Sequence, residues 1–139
     1  MIELRSMGLD VGDKKIGVAL SDPQGILATP FFIIDRTNLE FDIQSILNIT
    51  RQKEVTKFVI GLPRSMDGTI GQQAEKVTEF AGELSRRSNT PVEFRDERLT
   101  SVSASRLMRQ AASKKSKDRS RDDAVAAAII LQAYLDEQI

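Results

Sequence analysis

The chain has 139 residues, of which 40% are hydrophobic and 29% charged, and its 20 basic and 20 acidic residues give a net charge of zero. This composition is typical of one folded domain and excludes a disordered or collagen-like chain. The absence of histidine and cysteine excludes thiolate nucleophiles, disulfides, serine–histidine triads and the usual zinc ligands. Any metal must therefore be held by oxygen, which favours Mg²⁺ or Mn²⁺.

The amino-terminal residues and the hydropathy along the chain predict where the protein works. Glu3 and Arg5 stand where a signal peptide would need an apolar run, and no apolar stretch of about 18 residues occurs. We therefore expect a cytoplasmic protein that does not span a membrane. Because the net charge is zero, any nucleic-acid binding would need a local basic patch.

The first forty residues have the pattern of three short strands joined by turns. Apolar runs at 7–11, 16–20 and 31–34 are separated by turn-forming residues at 12–14 and 22–25. The spacing predicts an antiparallel meander.

Helical and strand patterns alternate after this meander. The predicted elements are a helix from Leu39 with Ile43 and Ile46 on its apolar side, a strand at 57–62, an amphipathic helix from Ala74 to about Arg87, a strand at 91–94, a helix after Thr100 and a last helix at 122–135. The order βββαβαβαα predicts a single α/β domain over residues 1–139. Its serine- and lysine-rich stretch at 113–121 is predicted to be a mobile basic loop.

Two carboxylates follow or interrupt apolar strands. Asp10 lies within an apolar run, where an unpaired buried carboxylate would cost several kcal/mol. It either lies at the hydrated end of its strand or serves a function. Glu97 follows the fifth predicted strand, where α/β folds often place ligand-binding groups, although alone it could equally be a surface charge.

The last helix supplies a third carboxylate. Asp123, Ala127, Ile130 and Tyr134 share one line at helical spacing, which predicts that Asp123 points toward the core. Asp122 lies about 100° around the helix and is predicted to complement the helix dipole. Simple capping of the helix is the alternative interpretation for both residues.

These three carboxylates would acquire a common role if the fold brought them together. Asp10, Glu97 and Asp123 can meet if the first strand is central and the last helix crosses the sheet near the end of the fifth strand. Clustered carboxylates raise one another's pKa, and a divalent cation reverses that effect while supplying a hydroxide near neutral pH. Such a cluster suits phosphodiester hydrolysis with two metal ions.

Four sequence blocks, in this order, resemble those of one nuclease family. They are GLDVGDKKIGVA at 8–19, IGLPRSMDGT at 60–69, DERLTS at 96–101 and DAVAAAIIL at 123–131. The whole chain resembles the YqgF/RuvX family of RNase H-like nucleases, named both as Holliday junction resolvases and as pre-16S rRNA processing nucleases. The resemblance implies a mixed five-stranded sheet with three antiparallel leading strands and helices on both faces. It also implies catalytic and metal-binding roles for Asp10, Glu97 and Asp123, with Asp122 as a weaker substitute for Asp123. The expected cofactor is Mg²⁺ or Mn²⁺, as two ions held by these carboxylates.

Basic residues near these blocks are candidates for binding substrate phosphates. They are Arg64, Arg98, Lys114, Lys115, Lys117, Arg119 and Arg121. Each has a structural alternative: a turn-rich loop around Arg64, an ion pair between Arg98 and Asp96, and a solvated charge run in the basic loop.

The resemblance and the composition together predict a metal-dependent endonuclease that processes the 5′ end of pre-16S rRNA in ribosomal particles. A Holliday junction resolvase acting on branched DNA is the alternative, and it would require a two-fold dimer. The near-neutral charge and short chain favour RNA, and the sequence leaves monomer and homodimer open. A non-catalytic binding module, or an actin-like ATPase lacking its second lobe, is less consistent with three carboxylates in one short domain.

Overall fold

The computed structural model describes residues 5–63, 71–96 and 119–138, and for residues 119–123 it describes the backbone alone. The elements in this part of the chain are β1 (Arg5–Val11), β2 (Lys15–Ser21), β3 (Ala28–Asp35), α1 (Leu39–Gln52), β4 (Val55–Leu62), α2 (Gln72–Ser88), β5 (Val92–Asp96) and α3 (Arg119–Glu137). The helix predicted after Thr100 lies outside the described residues.

The strands form one mixed sheet in the order β3-β2-β1-β4-β5. β1 pairs antiparallel with β2 and β2 antiparallel with β3, whereas β1, β4 and β5 run parallel. The predicted meander and the central position of β1 are confirmed. The carboxyl ends of β1, β4 and β5 therefore lie at the same edge of the sheet, which is where α/β folds bind ligands.

The two faces of the sheet carry different side chains, because successive residues of a strand point to opposite faces. One face packs large apolar side chains against α1 and α2; its fully buried members include Leu9, Ile16, Phe58 and Ile60. The other face packs against α3 through small residues of both the sheet and the helix: Ala19 of β2 and Ala126, Ala127 and Ala128 of α3. Helices thus cover both faces, as predicted.

Gly8 sets how closely α3 approaches the sheet. A Cβ atom built on Gly8 would lie 2.6 Å from the Ala127 carbonyl oxygen and 2.7 Å from the Leu131 Cβ. Only a residue without a side chain fits this contact, so α3 packs its backbone directly on β1.

Two elements begin three residues earlier than predicted, whereas the other boundaries in the described part of the chain lie within two residues of their predicted positions. α3 begins at Arg119, so residues 119–121 of the predicted loop are helical. Arginine has nearly the helix propensity of leucine, and the mixed serine and lysine composition concealed the start of the helix. β3 covers Ala28–Asp35 instead of 31–34, because this edge strand is mostly exposed and lacks the apolar alternation that marks a buried strand.

Among the helices in the described part of the chain, none is both long and apolar enough to cross a membrane.

Candidate active site

Asp10 lies near the carboxyl end of the central strand and is only 7% exposed. Its neighbours Leu9 and Val11 belong to the core shared with α1 and α2, so by alternation Asp10 belongs to the opposite face, with Gly8 and α3. Its partner on β2 is Gly17, which has no side chain to cover the carboxylate. Asp10 is thus held by a rigid strand on the face that α3 covers.

α3 runs antiparallel to β1, and two contacts define this direction. Ala127 packs on Gly8 in the middle of β1, whereas the Tyr134 hydroxyl accepts a hydrogen bond of 3.0 Å from Lys57 Nζ. Lys57 pairs with Ser6 near the start of β1. The amino end of α3 consequently lies over the carboxyl end of β1, the end that carries Asp10.

Asp123 lies in this amino-terminal part of α3, one helical turn before Ala127. Arg119, Arg121 and Asp122 belong to the same segment. Of the line of residues predicted to face the core, Ala127, Ile130 and Tyr134 are buried. At these three positions, α3 therefore buries the line of residues that the helical spacing predicted.

β5 ends at Asp96, which pairs with Leu62 at the end of β4. Glu97 is the next residue in the sequence and lies outside the described residues, as do Arg64, Arg98, Lys114, Lys115 and Lys117. The strand that leads to Glu97 thus ends at the same edge of the sheet as β1.

The chemistry of Asp10 fits the divalent cation expected from the family resemblance. A carboxylate supplies the oxygen ligands that Mg²⁺ and Mn²⁺ prefer. Within the side chains that the structure describes, no group of three carboxylates, histidines or cysteines comes together, and those of Glu97 and Asp123 are outside that set.

Electrostatic interactions at the opposite end of α3 hold that helix on the sheet. Lys57 donates to the Tyr134 hydroxyl and lies 3.6 Å from a Glu93 carboxylate oxygen. The hydrogen bond with Tyr134 contributes most to raising the pKa of Lys57 above its ordinary value. The Arg95 guanidinium carbon also lies over the Tyr134 ring, 5.1 Å from its centroid. This cluster fixes the carboxyl end of α3 and thereby its direction.

The sequence model of the RuvX family, described as "Holliday junction resolvase", matches residues 4–137. A protein of Moorella thermoacetica is 47% identical over 133 residues, covering 96% of this chain and 95% of its own length. One of Clostridioides difficile is 45% identical over 139 residues, covering 100% and 99%. Both carry the name "Putative pre-16S rRNA nuclease".

The chain belongs to the RuvX family.

Two solved structures share the fold of this RuvX protein. Thermus thermophilus RuvC in complex with a Holliday junction substrate is 12% identical, covers 97% of this chain and 95% of its own, and gives a TM-score of 0.60. The fowlpox virus resolvase in complex with Holliday junction DNA is 14% identical, covers 97% and 99%, and gives a TM-score of 0.60. The predicted family, RNase H-like fold and nuclease class are confirmed. The roles of the individual site residues stay predictions.

Sequence reasoning missed three polar residues beside the end of β1. Arg36, Asp42 and Gln73 make side-chain hydrogen bonds in this region. They come from three separate segments that only the packing of α1 and α2 brings together, so no local sequence pattern could have found them.

Proposed function

We propose that this RuvX protein is a metal-dependent endonuclease that processes the 5′ end of pre-16S rRNA, with Asp10, Glu97 and Asp123 as metal ligands and catalytic residues. The direction of α3 supports the proposal most strongly. Because α3 is antiparallel to β1, the segment containing Asp123 lies at the edge where Asp10 is buried and β5 ends. One nuclease domain over residues 1–139 would contain the whole site.

Each carboxylate would have a distinct structural basis for its role. Asp10 would be the most rigid ligand, because it is buried on the central strand. Asp123 would be oriented by the packing of α3 on Gly8, and Glu97 by the end of β5. Two Mg²⁺ or Mn²⁺ ions bound there would supply an activated water and stabilise the leaving oxygen.

Basic residues would hold the RNA on either side of the cleaved bond. The candidates are Arg64, Arg98, Lys114, Lys115, Lys117, Arg119 and Arg121. Their contacts would go to phosphates, which position a nucleic acid without reading its sequence. Binding should therefore weaken steeply as the salt concentration rises.

Pre-16S rRNA is the favoured substrate because relatives that are 45% and 47% identical over nearly the whole chain carry that nuclease name. A monomer in the cytoplasm would suffice for this reaction. Cleavage of Holliday junctions is the second candidate, and it is favoured by the description of the family and by the resolvases that share the fold. It would require a two-fold dimer.

Cleavage of matched substrates tests the proposal. An end-labelled pre-16S leader RNA, free and in assembled ribosomal particles, would be compared with a four-way DNA junction, with Mg²⁺, with Mn²⁺ and with chelator. The variants Asp10→Asn and Glu97→Gln would be compared with Asp35→Asn, whose carboxylate is exposed at the far edge strand.

We expect metal-dependent RNA cleavage that is lost in the first two variants and retained in the third. Cleavage of the junction alone would replace the proposal with the resolvase function. Binding without cleavage of either substrate would contradict both catalytic functions.

A further inference from the structure

Arg36, directly after β3, connects three elements that meet behind Asp10. Its Nη1 donates a hydrogen bond of 2.8 Å to the Gly12 carbonyl oxygen, and its Nε donates one of 3.1 Å to Asp42 Oδ2 in α1. Its guanidinium carbon lies 5.2 Å from the centroid of the Phe80 ring in α2. The guanidinium therefore has a fixed position and orientation.

Asp42 is the anchor of this arrangement. It is 1% exposed, and its second carboxylate oxygen accepts a hydrogen bond of 3.1 Å from the Thr37 backbone N–H. A buried carboxylate bound by both a backbone amide and a guanidinium has little freedom to move. Displacing the Arg36 side chain from Asp42 would consequently leave a buried charge poorly compensated.

The Gly12 carbonyl belongs to the turn that follows Asp10. The pairing of β1 with β2 ends at Val11 and Ile16, and beyond it the Gly12 N–H donates to the Lys15 carbonyl oxygen over 2.9 Å. The Arg36 backbone N–H donates to the Lys14 carbonyl oxygen in the same turn, also over 2.9 Å. Arg36 thus holds this turn through both its backbone and its side chain.

A second side chain acts on the neighbouring carbonyl. Gln73 Nε2, in the first turn of α2, donates to the Val11 carbonyl oxygen over 3.4 Å. The two carbonyl groups that follow Asp10 are therefore bound from the α1–α2 side of the sheet, while the Asp10 side chain belongs to the α3 side. This arrangement fixes the backbone of Asp10 from behind.

We infer that Arg36 is a positioning residue for Asp10: it fixes the turn at Gly12 so that the Asp10 carboxylate is preorganised to bind a divalent cation. The inference rests on the proposed function, in which Asp10 is a metal ligand. Residues that orient a metal ligand from behind contribute to affinity even though they never touch the metal.

Arg36→Met is the direct test, and Arg5→Met is its matched control. Arg5 also donates to two backbone carbonyl groups, those of Ser21 at 3.0 Å and Lys53 at 3.4 Å, but it does so at the opposite end of β1. Arg36→Lys is a second variant, which keeps a positive charge beside Asp42 without the fork that reaches both acceptors.

Two readouts separate positioning from stability. The first is the dissociation constant of Mn²⁺, measured on the folded protein by electron paramagnetic resonance without RNA. The second is the hydrogen-exchange rate of the Gly12 amide, measured by nuclear magnetic resonance. Thermal unfolding of each variant establishes that the comparison is made on folded protein.

We expect Arg36→Met to weaken Mn²⁺ binding about tenfold and to accelerate exchange of the Gly12 amide about tenfold. Arg36→Lys should weaken binding by a smaller factor, and Arg5→Met should lower thermal stability without changing either readout. If Arg36→Met bound Mn²⁺ as the wild type does, the inference alone would be overturned. If the wild type bound no Mn²⁺, the proposed function would fail, and the inference with it.

Discussion

The two faces of the sheet are built in opposite ways. The α1–α2 face buries large side chains, with Phe58, Leu9 and Ile60 fully inaccessible. On the α3 face, Gly8 and a run of alanines let the helix backbone lie against the strand. The first face buries the greater volume of apolar side chain, whereas the second brings a helix close to the strand that carries Asp10.

The face of the sheet that contributes most to stability is therefore not the face that carries the candidate site. Large apolar side chains supply most of the free energy of folding, and they are on the face away from Asp10. Close contact through small residues contributes less hydrophobic free energy, but it fixes the height and direction of α3. We therefore expect substitutions on the two faces to affect stability and metal binding in different proportions.

Phe58→Ala should have the largest effect on the free energy of unfolding. The side chain is 0% exposed, so its truncation should cost about 3–5 kcal/mol, measured by urea unfolding. Ile43→Val, in the same core, should cost about 1 kcal/mol and should therefore remain folded. The folded fraction of either variant should bind Mn²⁺ as the wild type does. Weakened binding in Ile43→Val would contradict the claim that this face contributes to stability and not to metal binding.

Gly8→Ala should affect both stability and the site. Its new methyl group would overlap the Ala127 carbonyl, so α3 must move, at a cost of up to about 3 kcal/mol. Both the free energy of unfolding, measured with urea, and the affinity for Mn²⁺ should fall.

The matched control for Gly8→Ala is Gly82→Ala in α2, where nothing lies within 4 Å of the new Cβ. This variant should be about 0.5–1 kcal/mol more stable and should bind Mn²⁺ normally. Normal binding in Gly8→Ala as well would show that α3 does not set the geometry of the site.

The α1–α2 face also contains a buried ion pair, and its removal should have an intermediate effect. Asp42→Ala would leave the Arg36 guanidinium, whose side chain is only 24% exposed, without its carboxylate partner. We expect the free energy of unfolding to fall by about 2 kcal/mol. Asp35→Ala removes the exposed pair with Lys15 and should cost less than about 0.5 kcal/mol. If urea unfolding showed the same loss of free energy in both variants, burial would not determine how much these ion pairs stabilise the fold.

The smallest effect is expected at the loop between β2 and β3. The Leu27 and Ile26 amides donate to the Asp22 carboxylate and hold its pKa below the ordinary value of 3.8. Because the carboxylate has a lower pKa in the folded state than in the unfolded state, it stabilises the fold at pH values above the unfolded-state pKa. This contribution is lost as the pH falls through the folded-state pKa. Asp22→Ala should thus lower the urea midpoint at pH 7 but not at pH 2, and a difference that persisted in acid would contradict this cause.

Much of the fold could be predicted because its signals are local. The apolar runs of β1 and β4 and the helical spacing of Ala74, Val77 and Phe80 are buried as their periodicity indicates. β3 was predicted too short because an edge strand needs no apolar alternation, and its extent is set by pairing with β2. Pairing between distant segments has no local signature.

The candidate site was predictable only in part, for the same physical reason. Asp10 could be singled out as a charge in an apolar strand, and Asp123 by its place on a line of helix residues predicted to face the core; their roles in the site stay predictions. The resemblance to RuvX sequences supported both choices. In contrast, Arg36 acquires its role only when Asp42, Gly12 and Phe80 surround it, and those contacts depend on how α1 and α2 pack.

The most direct test of the central claim is Mn²⁺ binding to Asp10→Asn, Glu97→Gln and Asp123→Asn, measured by electron paramagnetic resonance, with Asp122→Asn as the control. Asp122 has the same charge and is adjacent in α3, but it is not one of the three proposed ligands. We predict that each of the first three variants weakens binding strongly and that Asp122→Asn does not. Wild-type affinity in Asp10→Asn or Asp123→Asn would contradict the claim that these carboxylates form one metal site.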